Sequence, residues 1–212
     1  VNSYKYSFTY DANNNQTEQI SQNWSGSVWT NSYRYLSTYN SNNKTTLERY
    51  QSWNGTTWVD NSRYVYTYDA NRNAIQYDYQ TWSGTAWVNY FRYSSAYNAN
   101  NKVTEQISSN WDGTAWVNTN RYTFTYDANN NQTEYLYQTW DVSVWKNNFR
   151  YSYSYNSNND ITQLTTQSWD GAVWVNNDKY TLTYDARYNR TEILGQIWDV
   201  AVWKNSYKDS YL

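Results

Sequence analysis

Cysteine, histidine, proline and methionine are all missing from this 212-residue chain, and glycine occurs only 6 times. Without Cys there is no disulfide, no thiolate nucleophile and no thiolate zinc site; without His the commonest general base and metal ligand is gone as well. No cofactor is expected. An excess of one charge is lacking too: 16 Lys+Arg against 18 Asp+Glu leave a net charge of -2, so no electrostatic field favours phosphate or anionic lipid. Nucleic acid is not an expected partner. No stretch approaches the roughly 20 apolar residues of a membrane-spanning helix, and membrane insertion is not expected either. The absence of Pro leaves every backbone N–H available to a β-ladder.

What is abundant is unusual. There are 27 Tyr and 14 Trp beside 4 Phe, with a mean hydropathy of -1.09. Disordered chains are poor in aromatics, whereas Tyr and Trp supply large buriable area and keep a polar tip. The composition therefore excludes both an ordinary globular domain and a disordered one.

Internal periodicity resolves the sequence. Trp24, Trp53, Trp82, Trp111, Trp140, Trp169 and Trp198 are each 29 residues apart, as are Trp29, Trp58, Trp87, Trp116, Trp145, Trp174 and Trp203, and these two rows account for all 14 Trp. A basic row (Lys5, Arg34, Arg63, Arg92, Arg121, Arg150, Lys179, Lys208) and a Tyr row (Tyr10, Tyr39, Tyr68, Tyr97, Tyr126, Tyr155, Tyr184) keep the same period. The residue after that Tyr alternates, Asp11, Asn40, Asp69, Asn98, Asp127, Asn156, Asp185, so unlike repeats pair into 58-residue modules. The chain is one array, 1-212, with repeats 1-28, 29-57, 58-86, 87-115, 116-144, 145-173 and 174-202 and a partial repeat 203-212. Both ends cut through a repeat, and the series reads as excised from a longer array.

Each repeat predicts a hairpin. Trp29 to Tyr39 alternates with period two and is rich in Tyr and Thr, as a strand requires; Thr46 to Trp53 is its return strand. Asp11-Ala12-Asn13-Asn14-Asn15 fits a three-residue loop, a type I turn closed by a left-handed residue at Asn14. Arg72 is expected to strain the equivalent turn, and either Tyr188 or Asn189 fills that place in the last one. Trp24 and Trp29 flank a four-residue loop and should face each other. The register predicted from these turns pairs Tyr10 with Gln16 and Tyr6 with Ile20, and sets Arg34 opposite Tyr50, Arg63 opposite Tyr79 and Arg121 opposite Tyr137. It places Trp and Tyr rows on one face and the basic row on the other. The expected fold is all-β: tandem 29-residue β-hairpin repeats in a continuous antiparallel sheet that coils with the Trp/Tyr face inward.

At Tyr10-Asp11-Ala12-Asn13-Asn14-Asn15 the repeat resembles the Tyr-Asp repeats of Rhs-type proteins, whose usual form is Y-D-x-x-G-N. With Trp-x-Gly-x-x-Trp-Val-Asn in the second loop, the whole unit looks more like Tyr/Trp-rich arrays of secreted Bacteroidota surface proteins. The resemblance implies tandem hairpins joined in a long sheet and an extracellular or cell-surface location. It departs from the Rhs form at the turn Gly, which is Asn, Arg or Tyr here.

Three kinds of site compete with simpler roles. Asp-x-Asn-x-Asn runs resemble the start of a calcium loop, but Gln16 stands where such a loop needs Gly and Gln22 where it needs Glu. Turn formation explains them. Glu18, Glu48, Asp78, Glu105, Glu134 and Glu192 supply carboxylates, yet acid–base chemistry needs one asymmetric pair, whereas a repeat places similar groups everywhere. Catalysis is not expected. Exposed Trp rings would form platforms for sugars, which makes Trp24, Trp29, Trp53, Trp58, Trp82, Trp87, Trp111 and Trp116 candidate glycan contacts; burial of the same rings as core is the competing reading.

The sequence thus predicts a non-enzymatic secreted or cell-surface repeat protein, structural and adhesive, whose partners are other copies of itself or cell-surface polysaccharide. The alternatives are an extracellular filament subunit joined by strand addition, with Asp209 blunting one edge, and a carbohydrate-binding module.

Overall fold

The computed structural model describes residues 3–211. Every element is a strand, and the strands follow one another in a single antiparallel sheet ordered as in the chain. They are β1 (Tyr4–Tyr10), β2 (Gln16–Trp24), β3 (Trp29–Tyr39), β4 (Thr45–Trp53), β5 (Trp58–Tyr68), β6 (Ala74–Trp82), β7 (Trp87–Tyr97) and β8 (Val103–Trp111). The series continues with β9 (Trp116–Tyr126), β10 (Gln132–Asp141), β11 (Val144–Tyr155), β12 (Ile161–Trp169), β13 (Trp174–Tyr184), β14 (Arg190–Asp199) and β15 (Val202–Ser210). Contacts group the chain into two compact units, Val1–Ser95 with Ser108–Val117 and Ala96–Ile107 with Asn118–Leu212. Tandem hairpins are therefore the architecture, as the repeat demands.

Turn chemistry sets where each strand ends. Asn14 has φ 64, Asn14 N–H donates to Asp11 C=O at 3.1 Å, and Asp11 N–H donates to Asn15 C=O at 2.9 Å. These bonds close the expected three-residue loop. The same geometry holds at Arg72 (φ 69), whose N–H donates to Asp69 C=O at 3.0 Å, so that turn keeps its type and carries the long side chain in the left-handed region. Tyr188 (φ 65), not Asn189, takes this place in the last loop. At the opposite ends of the strands Trp24 pairs with Trp29 across its loop, and Gly26 supplies φ 96.

Between the turns the register departs from simple alternation. Tyr10 pairs with Gln16 as predicted, but Thr9 then pairs with Glu18, which leaves Thr17 as an extra residue. Tyr6 consequently faces Ser21, and Ser7 takes Ile20. A second bulge lies between Ser21 and Gln22, where Ser32 is the extra residue. Both irregularities recur in the hairpins from β1 to β7 and from β9 to β15. A bulge shifts the side-chain period by one, so every side chain beyond it changes face relative to unbroken alternation.

This overturns the predicted faces. Arg34 pairs with Gln51, Arg63 with Gln80 and Arg121 with Gln138, while Tyr35 meets Tyr50 and Tyr64 meets Tyr79. The basic row shares its face with Trp, and the Tyr33/Tyr35 rows occupy the other. Trp and these Tyr rows cannot turn inward together. The expected aromatic core is also replaced: among the described residues no hydrophobic side chain is buried, and the buried side chains are Ser21, Gln51, Ser108 and Ser109. Cross-strand pairing and repeat-to-repeat struts hold this sheet in place of a core.

Candidate functional site

The tryptophan face is a row of clamps. In the first unit the indoles of Trp24 and Trp29 lie 5.3 Å apart, Trp53 and Trp58 5.1 Å, Trp82 and Trp87 5.1 Å, and Trp111 and Trp116 5.3 Å, inclined at 56° to 66°. The second ring of a pair then receives a cation from the preceding repeat. Arg34 stands 4.9 Å from Trp58, Arg63 4.4 Å from Trp87 and Arg92 4.3 Å from Trp116. The second unit repeats the arrangement with Arg121 on Trp145, Arg150 on Trp174 and Lys179 on Trp203. Each contact of this kind contributes ~0.5–1 kcal/mol at an exposed site and more when desolvated.

Amides fix the guanidinium. Arg34 Nε donates to Gln51 Oε1 at 2.5 Å, and Gln51 Nε2 donates to Asp60 at 2.7 Å. Arg63 uses Gln80 (2.6 Å), which donates to Asn89 (2.7 Å); Arg150 uses Gln167 (2.6 Å), which donates to Asn176 (2.7 Å). Burial pushes the Asp60 carboxyl up, but hydrogen bonds from Arg49 and Gln51 outweigh it and hold Asp60 below the usual carboxylate range. The Gln two places before the first Trp, Gln22, Gln51, Gln80, Gln138, Gln167 and Gln196, is a row that periodicity displays but residue type alone does not mark as special. Its role follows only from the bulge that brings it opposite Arg.

The six carboxylates Glu18, Glu48, Asp78, Glu105, Glu134 and Glu192 are all engaged. Glu18 pairs with Arg34 (3.1 Å), Asp78 with Arg92 (2.7 Å), Glu105 with Arg121 (2.6 Å), Glu134 with Arg150 (3.4 Å) and Glu192 with Lys208 (2.7 Å), while Glu48 accepts from Tyr66 Oη at 2.6 Å. The Asp of the turn is committed as well. Asp11 Oδ1 accepts from the N–H groups of Asn13 and Asn15, both at 2.9 Å, and Oδ2 accepts from Asn15 Nδ2 at 3.0 Å. Those oxygens serve the turn rather than an ion. They also hold Asp11 below its ordinary pKa, with the Asn15 side chain the largest cause.

The opposite face is a tyrosine surface. In the first unit Tyr35 and Tyr50 are 5.1 Å apart, Tyr64 and Tyr79 4.9 Å, and Tyr77 and Tyr93 5.4 Å; Tyr35 is 46% and Tyr64 39% exposed. In the second unit Tyr122, Tyr135, Tyr137, Phe149 and Tyr151 form a similar cluster at 5.0 to 5.9 Å. A further Tyr row ties the loop end of the strands together. Tyr39 Oη donates to Gln16 C=O and Tyr68 Oη to Thr45 C=O, and in the second unit Tyr126, Tyr155 and Tyr184 donate to Val103, Gln132 and Ile161, all at 2.7 to 2.8 Å. Burial, then the Glu48 hydrogen bond, pushes the Tyr66 phenol far above its ordinary value. Within the first unit this face opens into a groove of about 480 Å³ lined by Gln16, Gln19, Tyr35, Glu48, Tyr50, Tyr64 and Tyr79 among others.

The structure thus separates the two aromatic sets that the sequence reading merged. Trp58, Trp87 and Trp116 carry a guanidinium, Trp29, Trp53, Trp82 and Trp111 are half-buried in their pairs, and Trp24 is 38% exposed. The groove lies on the Tyr side.

No family model matches the chain, and no curated protein matches it. Several solved structures are similar in fold. A protein of unknown function from Bacteroides fragilis shares 12% identity over 57% of this chain and 91% of its own, with a TM-score of 0.44. A DUF3836 family protein from Bacteroides vulgatus shares 22% identity over 47% of this chain and 87% of its own (TM-score 0.30). A chain of the TcdB2-TccC3-TEV structure is 13% identical, and the match covers 95% of this chain but 11% of that one (TM-score 0.46). On its own geometry the chain is an aromatic-rich tandem β-hairpin repeat protein.

Proposed function

We propose that the chain is a non-enzymatic repeat protein of the cell surface or extracellular space, structural and adhesive in role, and that it contacts polysaccharide through its tyrosine face rather than its tryptophan pairs. The observation that carries this reading is the division of labour between faces. Carboxylates, guanidiniums and amides on the Trp side are consumed as struts between repeats, whereas Tyr rings on the other side stay partly exposed. Tyr combines a flat apolar ring with a hydroxyl, the pairing that a sugar's CH face and hydroxyl edge require. Recurrence of the surface supports adhesion, because weak contacts linked in one chain gain from effective concentration. The resemblance to secreted Tyr/Trp-rich arrays supports a location outside the cell.

The test is retention of the full chain on bacterial cells and on insoluble polysaccharide, with soluble sugars measured in parallel. The expected result is co-sedimentation that Tyr-face variants weaken, with no sugar released. Release of fragments, or a chain that stays in solution with every surface tried, overturns the proposal.

A further inference from the structure

The tyrosine face is not uniform, and three of the positions that vary decide how full it is. In the first unit the register sets Ser62 across from Tyr50, and Glu48 across from both Ser37 and Tyr64. One repeat later the places of Ser37, Glu48 and Ser62 are taken by Tyr66, Tyr77 and Phe91, whose rings pack at 5.9 and 6.2 Å. Three repeats later they are Phe124, Tyr135 and Phe149, again in ring contact at 5.4 and 5.9 Å. Exchanging rings for two Ser and one Glu is what leaves the groove open. Two repeats on from the groove the three places are again polar, Ser95, Gln106 and Asn120, but four repeats on they are Tyr153, Leu164 and Asp178, so the opening does not follow the 58-residue alternation along the whole chain.

We infer that this groove is a binding site for a short neutral oligosaccharide. Its walls are two ring pairs, Tyr35 with Tyr50 and Tyr64 with Tyr79. Its polar groups are the amides of Gln16 and Gln19, the hydroxyls of Ser37 and Ser62, and the Glu48 carboxylate. Flat aromatic walls beside a few directional amide and carboxylate groups match rings that offer CH faces and vicinal hydroxyls. Charge selects the class. Arg49 and Arg63 also line the space, but their guanidiniums are engaged on the Trp side, Arg49 by Asp60 and Arg63 by Gln80 and Trp87. Glu48 keeps its negative charge while its Oε2 accepts from the neutral Tyr66 hydroxyl, and it is then the charge the groove presents, which repels acidic sugars and accepts hydrogen bonds from neutral ones through its remaining acceptor capacity. The size suits a segment of two or three sugar rings, since ligand pockets span ~300–1,000 Å³.

The inference rests on the glycan-contact reading and narrows it to one place. The test uses the full chain and four probes, cellohexaose, laminarihexaose, xylohexaose and mannohexaose, in titration calorimetry. At least one should bind. Tyr35→Ala and Tyr64→Ala should each weaken that binding about tenfold, and Tyr35→Phe and Tyr64→Phe, which keep the ring, by less than about threefold. The decisive variant is the triple change Ser37→Tyr, Glu48→Tyr, Ser62→Phe, which copies the next repeat into the groove. It should keep the wild-type urea midpoint or raise it, and abolish oligosaccharide binding. Undiminished binding by a folded triple variant overturns the groove, as does the failure of all four probes with wild type. Retention of the chain on whole cells in either case would leave the broader adhesive reading standing.

Discussion

The guanidinium of Arg63 lies 4.4 Å from the centroid of Trp87, although the two residues belong to successive repeats. Arg63 Nε also donates to Gln80 Oε1 at 2.6 Å, so the group is fixed both by its face and by its edge. Arg63→Ala removes the stacked cation and leaves Gln80 without this bond. The expected loss is about 1–3 kcal/mol, read as a fall in the urea midpoint. Arg63→Lys should recover only part of it, because an ammonium keeps the charge but not the planar stack or the Nε donor. Equal stability of the Ala variant and wild type would show that the clamp does not join repeats.

Two loops carry a backbone cost that substitution can remove. Val142 and Val200 stand where Gly26, Gly55, Gly84, Gly113 and Gly171 occur in the other repeats, and they keep positive φ, 56 and 59. A β-branched residue there is strained, by roughly 1–2 kcal/mol against Gly in the left-handed region. Both side chains are over 89% exposed, Val142 at 90% and Val200 at 93%, so no packing offsets the strain. Val142→Gly and Val200→Gly should each raise stability, by about 0.5–1 kcal/mol after the entropy cost of Gly. A lowered midpoint would mean that the loops change their path on substitution.

These loops show how much was legible in the sequence. The repeat, the all-β fold, the left-handed Asn14 and the Trp24–Trp29 pairing follow from local turn chemistry, and the structure contains all of them. The faces were not legible. Thr17 and Ser32 look like ordinary strand residues, and nothing in their type announces a bulge, yet the two of them decide which side Arg34 and Tyr35 occupy. An error of one residue in register exchanges the faces of a strand, which is why the Arg–Trp clamp and the Tyr groove escaped a reading that identified both rows correctly.

The alternation of Asp and Asn in the turns contains its own control for acid stability. The carboxyls of Asp11, Asp69, Asp127 and Asp185 lie below their ordinary pKa because turn N–H groups and the Asn four residues on donate to the charged form. A depressed folded pKa contributes stability that is present above the unfolded value, near 4, and is lost as pH falls through the folded one. Asn40, Asn98 and Asn156 accept the same backbone bonds without titrating. Changing all four Asp to Asn should therefore flatten the fall in urea midpoint as pH drops below about 4. An unchanged acid profile would place the acid-sensitive groups elsewhere, at Asp60, Asp112 or Asp170, whose carboxyls are also held below their ordinary pKa.

Gly195 and Tyr207 permit the most direct test of packing on the tyrosine face. The two residues are paired across β14 and β15, and a Cβ on Gly195 would overlap the Tyr207 ring at Cε1 and Cδ1. Glycine is needed here for close approach and not for a turn, and at this position the other repeats carry Ser21, Tyr50, Tyr79, Ser108, Tyr137 and Thr166. Gly195→Ala must push the Tyr207 ring off its strand neighbour, at a cost of about 1–3 kcal/mol. With Tyr207→Ala already in place the clash is gone, and the same change should be neutral or stabilising by up to about 1 kcal/mol, since Ala loses less backbone entropy than Gly in a strand. The two effects differ, so a double-mutant cycle should return a coupling of about 1–4 kcal/mol. Additive effects would mean that the Tyr207 ring does not rest on Gly195 in solution, and that the end of this face is looser than its ring contacts indicate.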